Sequence, residues 1–250
     1  MKPTLPQLMS LNGGFVDTAG FLALHGLFTA HVTGNFVTIG AALVHGTSGA
    51  LTKLLALPVF CVVVVLARWL GQGLPGLGLP VLRTMLLLKA VLLLAGGIVA
   101  IRFGPFPDGD SAPAMLAGLV LVSAMAIQNA VHRIHLGSAP PTTLMTGTTT
   151  QVMVDLADLL RGAQPPEEAA AARARMRRMA AAVAWFAAGC AAAALIYARW
   201  NVWCFAVPPV LAAAAVLLQR STHEGDAGAP PAPAPAPAPL PATASAPRHL

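Results

Sequence analysis

The chain is 250 residues long, 56% hydrophobic and only 10% charged, with a mean hydropathy of +0.72. That balance excludes an ordinary soluble domain and points to a polytopic membrane protein. The net charge of +6 does not signal nucleic-acid binding, because the cations are strung beside apolar segments rather than interleaved with aromatics on one face; no nucleic-acid partner is expected.

A helix needs about 20 apolar residues to cross about 30 Å of hydrocarbon. Residues 1–9, carrying Lys2, read as a cytoplasmic segment; no small-residue cleavage site accompanies the first apolar run, so it is not read as a cleaved signal. Six spans are then expected at 10–28, 52–71, 82–103, 113–134, 179–199 and 202–219. The last contains Pro208 and Pro209, which predict a kink, and only Trp200 and Asn201 separate it from the fifth span, which predicts a tight hairpin. Between spans four and five, Glu167 to Arg178 reads as an amphipathic juxtamembrane helix near anionic lipid, its arginines holding the loop inside. After the last span, residues 221–250 form an alanine- and proline-rich tail that cannot build a core and is expected to be disordered and cytoplasmic. With both termini inside, eleven of the fifteen Lys and Arg residues are cytoplasmic, Lys53, Arg102 and Arg199 are outside, and Lys89 lies within a span. This bias predicts a bacterial inner-membrane protein with both termini in the cytoplasm.

A phrase occurs twice, Thr29-Ala30-His31-Val32-Thr33-Gly34 and Thr142-Thr143-Leu144-Met145-Thr146-Gly147, after spans one and four. With one inserted residue, Asp17 also falls opposite Asn129. The all-helical bundle is therefore expected to consist of two related halves, about 10–103 and 113–219, with three crossings each. An odd number of crossings inverts the second half relative to the first. The segments after each Thr-Gly are read as short re-entrant or interfacial helices, because Gln151, Asp155 and Asp158 are costly within a bilayer. Thr33 and Thr146 suit helix N-caps, and Gly34 and Gly147 suit close approach of backbone to a neighbour or ligand. Interrupted helices in paired halves are where many transporters place their binding site.

Asp17, Lys89, Gln128 and Asn129 fall at similar depth, where Asp17 and Lys89 are expected to share a wet or paired site. Asp17 is then the candidate coupling carboxylate and Lys89 its counter-ion. His25, eight residues beyond Asp17, shares its helix face, and His31 sits inside the first phrase; either suits proton relay. The candidate binding residues are thus Asp17, His25, Thr33, Gly34, Asn35, Lys89, Asn129, Thr146 and Gly147. Cys61, Cys190 and Cys204 lack metal-ligand spacing and read as packing residues, so neither metal nor cofactor is expected. The spans hold one carboxylate and neither HExxH, CxxC nor a nucleophile elbow, which argues against an enzyme.

Gly14-Phe15-Val16-Asp17, Phe21-Leu22-Ala23-Leu24, Phe28 to Asn35 and Pro141 to Gly147 together resemble the YoaK-like family of bacterial inner-membrane proteins of unknown function (domain of unknown function 1275), over about residues 8–220. The resemblance implies a membrane protein of unassigned activity and carries no site residues. From the residues themselves the expected function is transport of a small solute or ion, with the lipid bilayer and a second copy of the chain as further partners. The alternative is a non-transporting scaffold or sensor that uses its proline-rich tail.

Overall fold

The computed structural model describes residues 3–162 and 165–227, and every regular element among them is helical. The order is α1 (Leu5–Ala23), α2 (Asn35–His45), α3 (Ala50–Gly73), α4 (Val81–Phe103), α5 (Ala112–His135), α6 (Met145–Arg161), α7 (Pro166–Trp200) and α8 (Val207–Ala227), with short 3-10 turns at Val32–Gly34, Leu74–Leu77 and Asn201–Ala206. Four stretches are long and apolar enough to cross a membrane: Ala50–Leu77, Val81–Phe103, Ala112–His135 and Pro166–Gln219, the last containing both α7 and the apolar part of α8.

α1 is not among these four, and the packing explains why. Twelve of its residues are buried, including Ser10, Asn12 and Asp17. A helix wrapped by other helices does not need an apolar surface for lipid, so polar residues can dilute its hydropathy; Asp17 is bonded through both oxygens and Asn12 Nδ2 donates to the Pro208 carbonyl at 3.3 Å, while Ser10 Oγ and Asn12 Oδ1 have no partner among the described residues. α5 is likewise enclosed: 67% of its most apolar stretch is buried, against 22% for α3. α7 and α8 pack on α1, α3 and α4 pack on α5, and α4 packs on α8. α2 lies on α3 and α6 on α7. One core gathers Phe15, Val16, Leu24 and Leu27 with Leu121, Met125 and Phe205, and a second gathers Met9, Met85, Leu86 and Ile127.

Small residues let the helices approach. A Cβ on Gly14 would collide with the Phe186 carbonyl oxygen, and one on Gly189 with that of Leu11, so α1 and α7 touch backbone to backbone. Gly97 meets the Phe205 carbonyl in the same way, small residues letting backbones approach closely.

Several boundaries differ from the sequence reading. α1 starts at Leu5 rather than residue 10, because Pro6 suits a first turn and the Gln7 side chain accepts the Thr4 amide at 2.9 Å. It ends at Ala23 rather than residue 28: Leu24 and Leu27 are buried, but in irregular chain that turns through His25 at φ 53° and Gly26 at φ 83°. The juxtamembrane helix and the fifth span are one continuous helix, α7, of 35 residues, about 52 Å long at about 1.5 Å per residue. Pro208 and Pro209 produce no kink within α8, since they stand in its first turn, where the missing amide has no helical partner to lose. Trp200 and Asn201 lead into a 3-10 segment entered through Asn201 at φ 51°, and α7 and α8 on either side of it both pack on α1 rather than closing on each other as a tight hairpin. α8 runs on to Ala227, so the helix takes in the first residues assigned to the tail; residues 228–250 lie outside the described residues.

Candidate functional site

The site is built around the break between α1 and α2. One oxygen of the buried Asp17 side chain, Oδ1, accepts the Thr29 amide at 2.7 Å, the Ala30 amide at 2.8 Å and the Thr29 hydroxyl at 3.2 Å. The other, Oδ2, lies 2.5 Å from His31 Nδ1. A carboxylate is acceptor-only, so Nδ1 carries the hydrogen in this contact. Four donors thus converge on one anion, and the carboxylate organises the irregular chain that a helix would otherwise have continued. Asn35 completes the fold of this loop: its side chain accepts the Phe28 amide at 2.8 Å and donates to the Phe28 carbonyl at 2.9 Å.

The second phrase is held in a related manner from α5. The Thr143 hydroxyl donates to Asn129 Oδ1 at 2.7 Å, and Asn129 Nδ2 donates to the Met125 carbonyl at 2.9 Å. Gln128 Nε2 donates to the Thr142 hydroxyl at 3.2 Å and to the Met9 carbonyl at 2.9 Å, tying this phrase to α1. α6 is then fixed on α7 by a two-pronged pair, Arg175 Nε to Asp155 Oδ2 at 2.9 Å and Arg175 Nη2 to Asp155 Oδ1 at 2.6 Å, with Gln151 donating to Oδ1 at 2.8 Å. The Arg175 guanidinium beside Asp155 holds its carboxyl below the usual carboxylate range, a gain that exceeds the cost of burying it.

Between these parts lies a cleft of about 610 Å³, lined by Asp17, Thr18 and Phe21 of α1, Phe28, His31, Thr33 and Gly34 of the first break, Leu144 and Thr146 of the second, and Phe186 and Cys190 of α7. The His31 ring meets Phe28 edge-to-face at 6.2 Å and Phe186 at 5.8 Å between centroids, and Phe21 leans on Phe28 at 5.0 Å. The cleft therefore joins an acid–imidazole pair and threonine hydroxyls to an aromatic wall, an arrangement that orients a polar group on an apolar body.

Of the candidate residues, Asp17, Thr33, Gly34 and Thr146 come together in this cleft. Asn35 and Asn129 stand behind it as supports of the two phrases. The other candidates are elsewhere. Lys89 does not pair with Asp17; fully buried on α4, it donates to Gln128 Oε1 at 2.5 Å. Asp17 is bonded to His31 instead, which the loop after α1 carries back to the carboxylate. His25 leaves the Asp17 face when α1 ends: its Nε2 contacts the Phe106 carbonyl at 2.9 Å and its Nδ1 the Ser48 hydroxyl at 3.3 Å. It belongs to the loop around Asp110, whose carboxylate receives the amides of Gly49, Leu51 and Thr52 at the start of α3. Burial works against that charge, yet the bonds from Thr52, Leu51 and Gly49 hold the Asp110 carboxyl below its ordinary range.

Neither threonine is an N-cap. Thr33 sits in a 3-10 turn with Gly34 before α2, and Leu144 occupies the position before α6, leaving Thr146 inside the first turn. Gly34 is packed on the Phe28 ring, whereas Gly147 faces open space and makes no close approach. The aromatic wall and Cys190 escaped the sequence reading, although Phe21 and Phe28 flank the site in sequence. Their signal was present only as apolar residues indistinguishable from core. Among the described residues no group of three or more His, Cys, Asp or Glu side chains is arranged to hold a metal ion.

A family model described as "Protein of unknown function (DUF1275)" matches residues 5–218. No curated protein and no solved structure matches the chain.

Proposed function

The chain belongs to the DUF1275 family of proteins of unknown function, and from the geometry of its cleft we propose that it is a carrier of a small solute or ion in the bacterial inner membrane. The observation that carries this reading is that both repeated Thr-Gly phrases, 113 positions apart in the chain, line one cleft with Asp17 and His31. Irregular backbone persists at membrane depth when it is buried in protein or lines a cavity, and here it does the latter.

A duplicated architecture accompanies this reading. α1 to α4 and α5 to α8 repeat the same order of a buried helix, a short helix after a broken phrase, and two long helices joined through a 3-10 turn. The pairings correspond as well: α1 with α7 as α5 with α3, α1 with α8 as α5 with α4, and α2 on α3 as α6 on α7. α1, α3 and α4 then cross the membrane in the first half and α5, α7 and α8 in the second. α2, at 11 residues, spans about 16 Å and is too short to cross. Three crossings per half give inverted halves, and the cation distribution puts both termini in the cytoplasm.

The test is thermal unfolding of the detergent-purified full chain against a panel of metabolites and ions, with Thr146→Trp alongside to fill the cleft. A ligand at about 100 times its dissociation constant adds about 2.7 kcal/mol of stability. A ligand-specific shift that vanishes in a folded Thr146→Trp variant supports a solute site and names the compound to follow into liposomes. Absence of any shift, or one indifferent to Thr146→Trp, rejects it in favour of a scaffold.

A further inference from the structure

We infer that the cleft takes an oxyanion carried on an apolar body, a carboxylate above all, with Nε2 of His31 as the donor that holds it. The inference rests on reading the cleft as a solute site and concerns what that solute is. Among the described residues Asp17 is the only carboxylate lining the cleft, and its oxygens are engaged within the chain, Oδ1 by Thr29 and Ala30 and Oδ2 by His31. A cationic solute meets no carboxylate oxygen that is not already bonded. The carboxylate acts on the solute only through the imidazole: with Nδ1–H fixed on Asp17, the ring's other nitrogen is directed away from that carboxylate, on a side chain 29% exposed at the cleft. Nε2 has no hydrogen-bond partner among the described residues.

The remaining lining fits the same solute. Thr33 and Thr146 bring hydroxyl donors from the two breaks, while Phe21, Phe28, Leu144 and Phe186 offer carbon surface to an apolar body. The titratable or charged groups facing His31 are Asp17 on α1 and Cys190 on α7; the α6 residues at the cleft carry no charge. When Nε2 binds a proton, the ring presents a charge-assisted donor to the oxyanion. Anion and proton therefore bind together: His31 takes a proton from water at Nε2 as the anion enters and returns it as the anion leaves.

The experiment measures binding to the purified full-length protein by dialysis and thermal shift, using benzoate, its neutral amide benzamide and the cation benzylamine, each at about pH 8 and about pH 6. Benzoate is expected to bind, more tightly at the lower pH and with proton uptake, while benzamide and benzylamine bind weakly or not at all. His31→Gln should weaken benzoate about tenfold or more by removing the charge-assisted bond. Decanoate distinguishes the source: if it binds and competes far better than benzoate, the oxyanion arrives from the bilayer; if benzoate is the better ligand, it arrives from water. Equal protection by benzylamine or benzamide, no binding by either carboxylate, or benzoate binding unchanged in folded His31→Gln overturns the inference. Should His31→Gln unfold, the comparison of the three probes on the unaltered protein decides. A Thr146→Trp control separates the two readings: benzylamine binding lost in that variant removes the oxyanion but keeps a solute site, whereas binding of every probe unchanged removes both.

Discussion

Gly14 stands against the carbonyl of Phe186, and this contact sets the position of an aromatic ring in the cleft. With no Cβ between them, α7 closes on α1 far enough for the Phe186 ring to meet the His31 imidazole at 5.8 Å. Gly14→Ala and Gly189→Ala are each expected to push the helices apart and to destabilise by about 1–3 kcal/mol, the usual cost of overpacking. Gly147→Ala, with open space at that position, should be neutral or stabilise α6 by up to about 1 kcal/mol. Thermal unfolding of the three variants checks the order, and an equal loss in Gly147→Ala contradicts it.

Removing the charge at Asp17 should loosen the loop between α1 and α2. Asp17→Asn replaces an acceptor with an amide whose nitrogen opposes the donors around it, stranding buried amides or the His31 Nδ1–H. The expected loss is about 3 kcal/mol. Hydrogen exchange at Thr29 and Ala30 should accelerate more than in α4 or α5; uniform exchange behaviour across the chain counts against a local anchoring role.

Lys89 and Gln128 form an unequal pair, and the inequality is measurable. Lys89→Met leaves an amide oxygen short of one donor, at about 1–3 kcal/mol. Gln128→Leu leaves the buried Lys89 amino group without its acceptor at 2.5 Å and also releases the Met9 carbonyl and the Thr142 hydroxyl, three buried polar groups in place of one, so it should cost more than Lys89→Met. The reverse order in denaturation midpoints would show that the lysine carries the larger share of the interaction.

The seat of α6 on α7 should depend on pH. Asp155 has its folded-state proton affinity lowered by Arg175 below the ordinary carboxylate value of 3.8. A depressed carboxyl contributes stability that is fully present above that value and is lost as the pH falls below it toward the folded-state value. α6 is therefore expected to keep its place at neutral pH and to loosen below about pH 4. Fluorescence quenching from a label on α6 reports the change; Arg175→Gln should remove the pH step while loosening α6 at neutral pH.

How much of this could be read from the residues depended on whether apolarity alone was informative. The long helices α3, α4 and α5 were legible because long apolar runs end at turn residues. The end of α1 was not legible. Leu24, Leu27 and Ala30 are as apolar as any helical residue, yet they are buried in irregular chain, and hydropathy does not distinguish the two. The partner of Asp17 was hidden for the same reason. Depth along straight helices pointed to Lys89, whereas the turn at His25 and Gly26 returns the chain so that His31 arrives first. Cys190 and Phe186 gave no signal, because lining a cleft and filling a core call for the same residue types.

The burial of α1 bears on how the chain is made. Among the described helices it comes earliest in the chain, and its Ser10, Asn12 and Asp17 are enclosed in the finished bundle. Its chief neighbour, α7, is translated some 150 residues later. α1 must therefore stay without its chief neighbour until α7 emerges, and a fragment ending before α7 would lack the surface that receives it.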